Sequence, residues 1–138
     1  MILLDSTVIV GFLDADDALH DASVARLREL AGAQPLAASV ISYAEVMTGV
    51  ALGHHPEEWV TGFFDALIRD LLPVDRAVAA RASKIRGKRR SLPMPDALIL
   101  ATADLNAEID TVLCADGDWP KVTGLDCRVE LLKANAGG

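Results

Sequence analysis

Cysteine is scarce in this chain. Its two, Cys114 and Cys127, form no CxxC pair, which argues against a disulfide framework or a cysteine-based zinc site and leaves two ordinary, half-buried, reduced thiols. Aromatics are few as well. Three Phe, two Trp and one Tyr do not supply the row of rings on which successive bases of a single strand stack. The three histidines, His20, His54 and His55, lack the spacing of paired metal ligands and are expected at the surface, with His54-His55 in a loop before Pro56. No uncharged apolar run approaches the ~20 residues of a membrane span. The start, Met1-Ile2-Leu3-Leu4-Asp5, has no basic segment and meets a charge after a short apolar run, so no signal peptide is expected and the reading is cytoplasmic. The P-loop, GxGxxG and GxSxG patterns are missing too, which sets aside common nucleotide-binding and serine-hydrolase chemistries.

Acid is absent from one stretch. None occurs between Arg76 and Pro95, where Arg76, Arg81, Lys84, Arg86, Lys88, Arg89 and Arg90 all fall, in a chain whose net charge is −7. A basic patch on an acidic body can grip a polyphosphate locally. It can equally be a solvated helix face followed by a charged loop, and the patch alone decides nothing.

What is present is a regular alternation. Apolar residues make up 51% of the 138, enough for one domain with a real core, expected over residues 1–133 with 134–138 a frayed tail. Strands are predicted at Ile2–Leu4, Leu36–Val40, Leu71–Val74, Thr111–Cys114 and Cys127–Leu132, with Pro73 favouring a sheet edge. Helices are predicted between them. One is capped by Ser6 or Thr7 and one spans about Ala18 to Ala31 with Val24, Leu27 and Ala31 on a face. Another runs from Ser42 through Val50, and the next carries Trp59, Phe63, Leu67 and Ile68. The basic one turns Val78, Ala82 and Ile85 inward and ends at Gly87. The last opens at Pro95-Asp96 and is apolar almost all round, hence central and buried. Strands alternating with helices imply a three-layer α/β/α sandwich around a mostly parallel sheet.

Four carboxylates stand where such folds collect polar chemistry, outside the carboxyl ends of the strands. Asp5 ends the first strand. Glu45 lies in the first turn of the helix after the second. Asp96 opens the buried helix, and Asp116 follows the fourth strand with Asp118 close behind. Singly, each has a plain structural explanation: a helix cap for Asp5, a capping box with Ser42 for Glu45, the helix dipole for Asp96 and a turn for Asp116-Gly117. Together they mean more. Carboxylates sharing a small space repel unless a cation sits among them. An all-oxygen set without His or Cys favours Mg²⁺ or Mn²⁺ over zinc, and such an ion can activate water and polarise a phosphate.

These residues carry a resemblance. Leu4-Asp5-Ser6-Thr7 resembles the opening motif of PIN-domain nucleases, and Ser42-Tyr43-Ala44-Glu45-Val46-Met47-Thr48-Gly49 resembles their second motif. Arg86-Gly87 followed by Leu92-Pro93-Met94-Pro95-Asp96-Ala97-Leu98-Ile99-Leu100-Ala101-Thr102-Ala103 is similar to the third motif of the VapC toxins of bacterial toxin–antitoxin systems. The last motif departs from the pattern. Cys114-Ala115-Asp116-Gly117-Asp118-Trp119 lacks the usual Thr and has Trp119 in place of a Phe, which leaves Asp116 or Asp118 as the fourth acid, Asp116 being nearer the strand end. The resemblance implies a metal-dependent endoribonuclease that leaves a 5′-phosphate and a 3′-hydroxyl. It implies Asp5 and Asp96 as direct ligands of Mg²⁺ (or Mn²⁺), with Glu45 and Asp116 ligating through water or positioning the nucleophile. It further implies a homodimer and a cognate antitoxin whose C-terminal segment covers the acidic groove. Thr7 fits as a hydroxyl holding Asp5, and Arg86, Lys88, Arg89 and Arg90 as RNA phosphate contacts.

Other readings are weaker. A haloacid-dehalogenase-type phosphohydrolase needs a second Asp where this chain has Thr7. A receiver-like signalling domain needs an acidic pair after the first strand, and Asp5 has no acidic neighbour. A PIN domain serving only as an RNA- or protein-binding module, and an RNA-processing nuclease that is not a toxin, keep the fold and change its use.

Overall fold

The structure, a computed structural model, describes residues 1–134. The expected frayed tail beyond Ala134 therefore lies outside the described residues. Five strands, β1 (Ile2–Leu4), β2 (Leu36–Ser39), β3 (Ile68–Leu72), β4 (Thr111–Cys114) and β5 (Arg128–Leu131), form one sheet in the order β3-β2-β1-β4-β5. Every pairing is parallel. The three inner strands are buried along their whole length, as strands covered on both faces must be. The edge strands β3 and β5 are partly exposed.

Six helices, α1 (Ser6–Leu13), α2 (His20–Leu30), α3 (Val40–Ala51), α4 (Glu57–Leu67), α5 (Arg76–Lys88) and α6 (Met94–Leu105), cover the two faces. The two-residue alternation of β1 divides the core between them. Ile2 and Leu4 pack with residues of α1 to α4, including Val8, Leu27, Val46 and Phe63. Leu3 packs on the other side with Ala82, Ile85, Ile99 and Leu100 of α5 and α6. This is the three-layer sandwich that the alternating pattern implies. As its sequence predicts, α6 is the most deeply buried helix, with Ala97 and Ile99 to Ala101 at 0% exposure.

Several boundaries differ from expectation for local reasons. Helix α3 begins at Val40, not Ser42, because the Ser39 hydroxyl accepts the Ile41 amide at 3.1 Å and caps it. The β-branched Val40-Ile41 pair reads as strand in isolation, yet the cap wins. Ser42 is then a buried helical residue and makes no capping box with Glu45, which moves to the second turn. Helix α4 stops at Leu67, and Ile68 pairs with Leu36 as the first residue of β3; Trp59 is 53% exposed instead of packed. Gly87 lies inside α5, α6 starts one residue before Pro95, and of Val24, Leu27 and Ala31 only Leu27 is buried. His55, expected at the surface, is buried, with its Nε2 3.0 Å from the Val46 carbonyl.

Candidate active site

All strands being parallel, their carboxyl ends lie along one rim. Asp5 follows β1 at the centre of that rim, and its amide donates to the Leu113 carbonyl of β4 at 2.9 Å. The chain leaves β1 for β2 on one side and reaches β4 on the other only after α6, so the crevice between β1 and β4 is the switch point where open α/β sheets bind ligands. Asp116 sits two residues past β4. Helix α6 feeds β4 and runs against it, which brings Asp96, in its first turn, to the same rim. Helix α3, leaving the end of β2, brings Glu45.

Asp5 occupies the N-cap position of α1, but its side chain makes no cap hydrogen bond. It accepts the Thr7 hydroxyl at 2.7 Å instead. Burial pushes its carboxyl from 3.8 up to about 6. The Thr7 hydroxyl offsets part of that, while the charges of Glu45 and Asp96 add to it. Glu45 is raised by partial burial and by Asp96, against an opposing hydrogen bond from the Ser6 hydroxyl at 3.2 Å. Asp96 is raised by partial burial and by Asp116, and is eased by the Trp119 indole N–H, which donates to it at 3.0 Å. Each of these carboxylates feels another's charge. The plain structural readings of Asp5 and Glu45 fail on geometry, whereas Asp96 does lie in a first turn.

Asp116 and Asp118 separate here. Asp116 takes the Asp118 amide on one carboxylate oxygen at 2.8 Å and acts electrostatically on Asp96. Asp118 turns to Arg89 at 3.2 Å and Lys121 at 3.6 Å. The basic residues divide as well. Arg86 ties the loop before α6 by donating to the Leu92 carbonyl at 3.1 Å; Arg89 faces the acidic rim through Asp118; Lys88 and Arg90 are exposed. A cavity of about 360 Å³ adjoins the acids, lined by Ser6, Thr7, Val10, Leu19, Glu45 and Ala115 among others.

Two residues of this arrangement were not singled out from sequence. Ser6 reads as a helix cap and proves to hold Glu45. Trp119 reads as a substitute ring, although an indole buried in a core ordinarily needs an acceptor for its N–H, and that need is the signal pointing to Asp96.

The donor set can be tested against a metal. Among the described residues no three His, Cys, Asp or Glu side chains form a group able to hold an ion by themselves. A hard ion of the Mg²⁺ type does not require such a cage, since it is ordinarily held by one or two carboxylates with water and substrate phosphate completing the shell. A buried and a half-buried carboxylate that repel each other, Asp5 and Asp96, fit that mode.

A sequence profile for the PIN domain matches residues 2–125. Among curated proteins, none matches this sequence significantly. Solved structures do. A chain of FitAcB from Neisseria gonorrhoeae is 28% identical, with a TM-score of 0.72 over 94% of this chain and 96% of that one. VapBC2 from Rickettsia felis, bound to a promoter DNA fragment, has a chain 18% identical with a TM-score of 0.75 over 96% and 100%. VapC20 from Mycobacterium tuberculosis, described as a toxin that cleaves the sarcin-ricin loop, is 17% identical with a TM-score of 0.69 over 93% and 99%.

Proposed function

The chain belongs to the PIN-domain family, and on that premise we propose that it is a metal-dependent endoribonuclease, the toxin of a toxin–antitoxin pair, with residues 1–133 as a single nuclease domain. The observation that carries the reading is the convergence at the carboxyl end of β1 of Asp5, buried and bonded by Thr7, with Asp96, bonded by Trp119, and Glu45, bonded by Ser6, close enough to raise one another. Asp5 and Asp96 are the residues that would hold Mg²⁺ or Mn²⁺, with Asp116, and less directly Asp118, completing the acidic rim. When bound, the ion supplies Lewis-acid polarisation of the scissile phosphate and a lowered pKa for attacking water. Thr7 and Trp119 fix the two ligating carboxylates by one hydrogen bond each. Glu45, exposed at the mouth and held by Ser6, would ligate through water or position the nucleophile. The products are a 5′-phosphate and a 3′-hydroxyl.

The partner reading follows from the relatives. Among the similar structures are a toxin–antitoxin complex from Klebsiella pneumoniae and a member of the VapBC family of toxin–antitoxin systems from Mycobacterium tuberculosis, and an antitoxin segment carrying a cation would neutralise the same acids. Homodimerisation and a cytoplasmic site of action belong to this proposal. No helix among the described residues is long and apolar enough to cross a membrane. One observation favours a second reading, a PIN-fold binding module of weak activity: the last motif, Cys114-Ala115-Asp116-Gly117-Asp118-Trp119, lacks the usual Thr.

The test is incubation with structured and unstructured RNAs in Mg²⁺, in Mn²⁺ and with chelator, beside Asp96→Asn protein. The expected result is cleavage that needs the divalent ion and disappears in Asp96→Asn. Cleavage indifferent to chelator would overturn the proposal. So would the absence of both cleavage and divalent-ion binding by calorimetry, which would favour the binding module.

A further inference from the structure

A second polar cavity, of about 200 Å³, lies beside the acidic rim, where α5 and the residue that caps its end meet the single 3₁₀ turn Trp119–Lys121 and the loop after it. Arg81 and Lys88 of α5, Arg89 just beyond it, and Lys121 and Thr123 from the far wall line it. Cations brought that close repel one another unless acceptors sit among them. Two carboxylates and one backbone carbonyl, that of Gly124, bond these cations. Asp104, whose side chain is only 7% exposed, takes Arg81 at 2.6 Å on one oxygen and the Asp126 amide at 2.7 Å on the other. Asp118 takes Arg89 and Lys121 on a single oxygen.

Donors are left over. Lys88 has no carboxylate partner among the described residues. The Arg89 Nε, itself withdrawn from the surface, has no acceptor among the described residues, so Asp118 satisfies this guanidinium only in part. A tetrahedral oxyanion, with several acceptor oxygens and at least one charge, matches a guanidinium flanked by ammonium groups. The cavity is also joined to the acidic rim by direct bonds: Arg89 to Asp118, and the Asp118 amide to Asp116.

We propose that this cavity is a phosphate-binding site that holds the RNA backbone at a phosphodiester other than the one cleaved, a proposal that rests on the reading of the rim as a ribonuclease centre. Arg81 fixes the wall by bonding Asp104 and the Gly124 carbonyl at 2.9 Å, while Lys88, Arg89 and Lys121 meet the ligand. The sequence pattern had grouped Arg86 and Arg90 with Lys88 and Arg89 as RNA contacts. Arg86 and Arg90 do not line the cavity; Arg81, earlier on α5, and Lys121, after β4, do.

The experiment measures binding of labelled single-stranded RNA by Asp96→Asn protein over a range of salt concentrations. The same measurement is made with Lys88→Ala/Lys121→Ala added, and with Arg28→Ala added as a control that removes one positive charge on α2, across the sheet from α5. The double variant is expected to bind about tenfold more weakly, with the slope of log affinity against log salt reduced by about one, and Arg28→Ala to match its parent. Inorganic phosphate is titrated in parallel and should compete with RNA in the parent but not in the double variant. An unchanged slope in the double variant, or an equal loss in Arg28→Ala, overturns the proposal. So does inorganic phosphate binding that leaves RNA affinity untouched, which would mark a free-anion site. Cleavage by the wild-type protein is scored separately. Altered RNA binding with neither cleavage nor divalent-ion binding leaves this site standing and removes the nuclease reading, whereas cleavage with unaltered binding does the reverse.

Discussion

At the scale of single residues, the indole of Trp119 does something a phenyl ring cannot. Its N–H donates to Asp96 while its ring is 99% withdrawn from solvent, at 1% exposure. The bond favours the ionised carboxylate, opposing the burial and the Asp116 charge that push Asp96 upward. Trp119→Phe removes the donor and leaves a void. The void should cost roughly 1–2 kcal/mol of stability. The lost donor should move the acidic limb of the kcat/KM pH profile to higher pH, since Asp96 would then bind its proton more tightly. A lowered melting temperature with an unmoved limb would show that Trp119 only packs. The resemblance to the family expects Phe at this position, so sequence alone reads Trp119 as filling space. Its partner is 23 residues away and becomes visible only when α6 and the 3₁₀ turn are brought together.

At the scale of elements, most of the fold is legible because short apolar strands and amphipathic helices announce themselves by period. What escapes is decided by single contacts. The start of α3 depends on one hydroxyl, that of Ser39, and its far end depends on a close approach. Gly49 lies under the ring of His55, and a Cβ there would stand 2.6 Å from Cε1 and 2.9 Å from Nε2. That ring cannot easily retreat, since it is buried with Nε2 at the Val46 carbonyl. Ala normally favours a helix over Gly by about 1 kcal/mol. Here overpacking of roughly 1–3 kcal/mol opposes that gain, so Gly49→Ala should destabilise the protein in denaturant melts. Combining it with His55→Ala should recover part of the loss as a favourable coupling. Strict additivity of the two substitutions would refute the contact. No spacing rule places His55 over Gly49, which is why a histidine beside a proline reads as surface loop.

At the scale of the whole molecule, the site is legible as a list and illegible as a place. Asp5, Glu45, Asp96 and Asp116 can be picked from the sequence because each ends or opens a predicted element. Their meeting follows from a property that no local window contains: all five strands run in one direction, so every strand end and the start of α6 share a rim. That convergence has a thermodynamic consequence. Asp5 is 3% exposed, and its carboxyl is raised from 3.8 to about 6. An acid whose folded pKa exceeds its unfolded value destabilises the fold when ionised. The penalty is present in full above about pH 6 and fades as pH falls toward 4, reaching on the order of 3 kcal/mol at neutrality as an upper bound. Asp5→Asn keeps an acceptor for the Thr7 hydroxyl and carries no charge. It should therefore be more stable than wild type at pH 7.5, with the advantage shrinking to nothing near pH 4. Mg²⁺ or Mn²⁺ at pH 7.5 should return stability to the wild type, about 2.7 kcal/mol at a hundredfold excess over Kd, by binding the folded state alone, and should do little for Asp5→Asn. Denaturant melts of both proteins across this pH range, with and without the ion, make the comparison. An Asn advantage that does not vary with pH would mean that Asp5 is not held ionised against its neighbours, and the rim would then lack the strain that a cation is proposed to relieve.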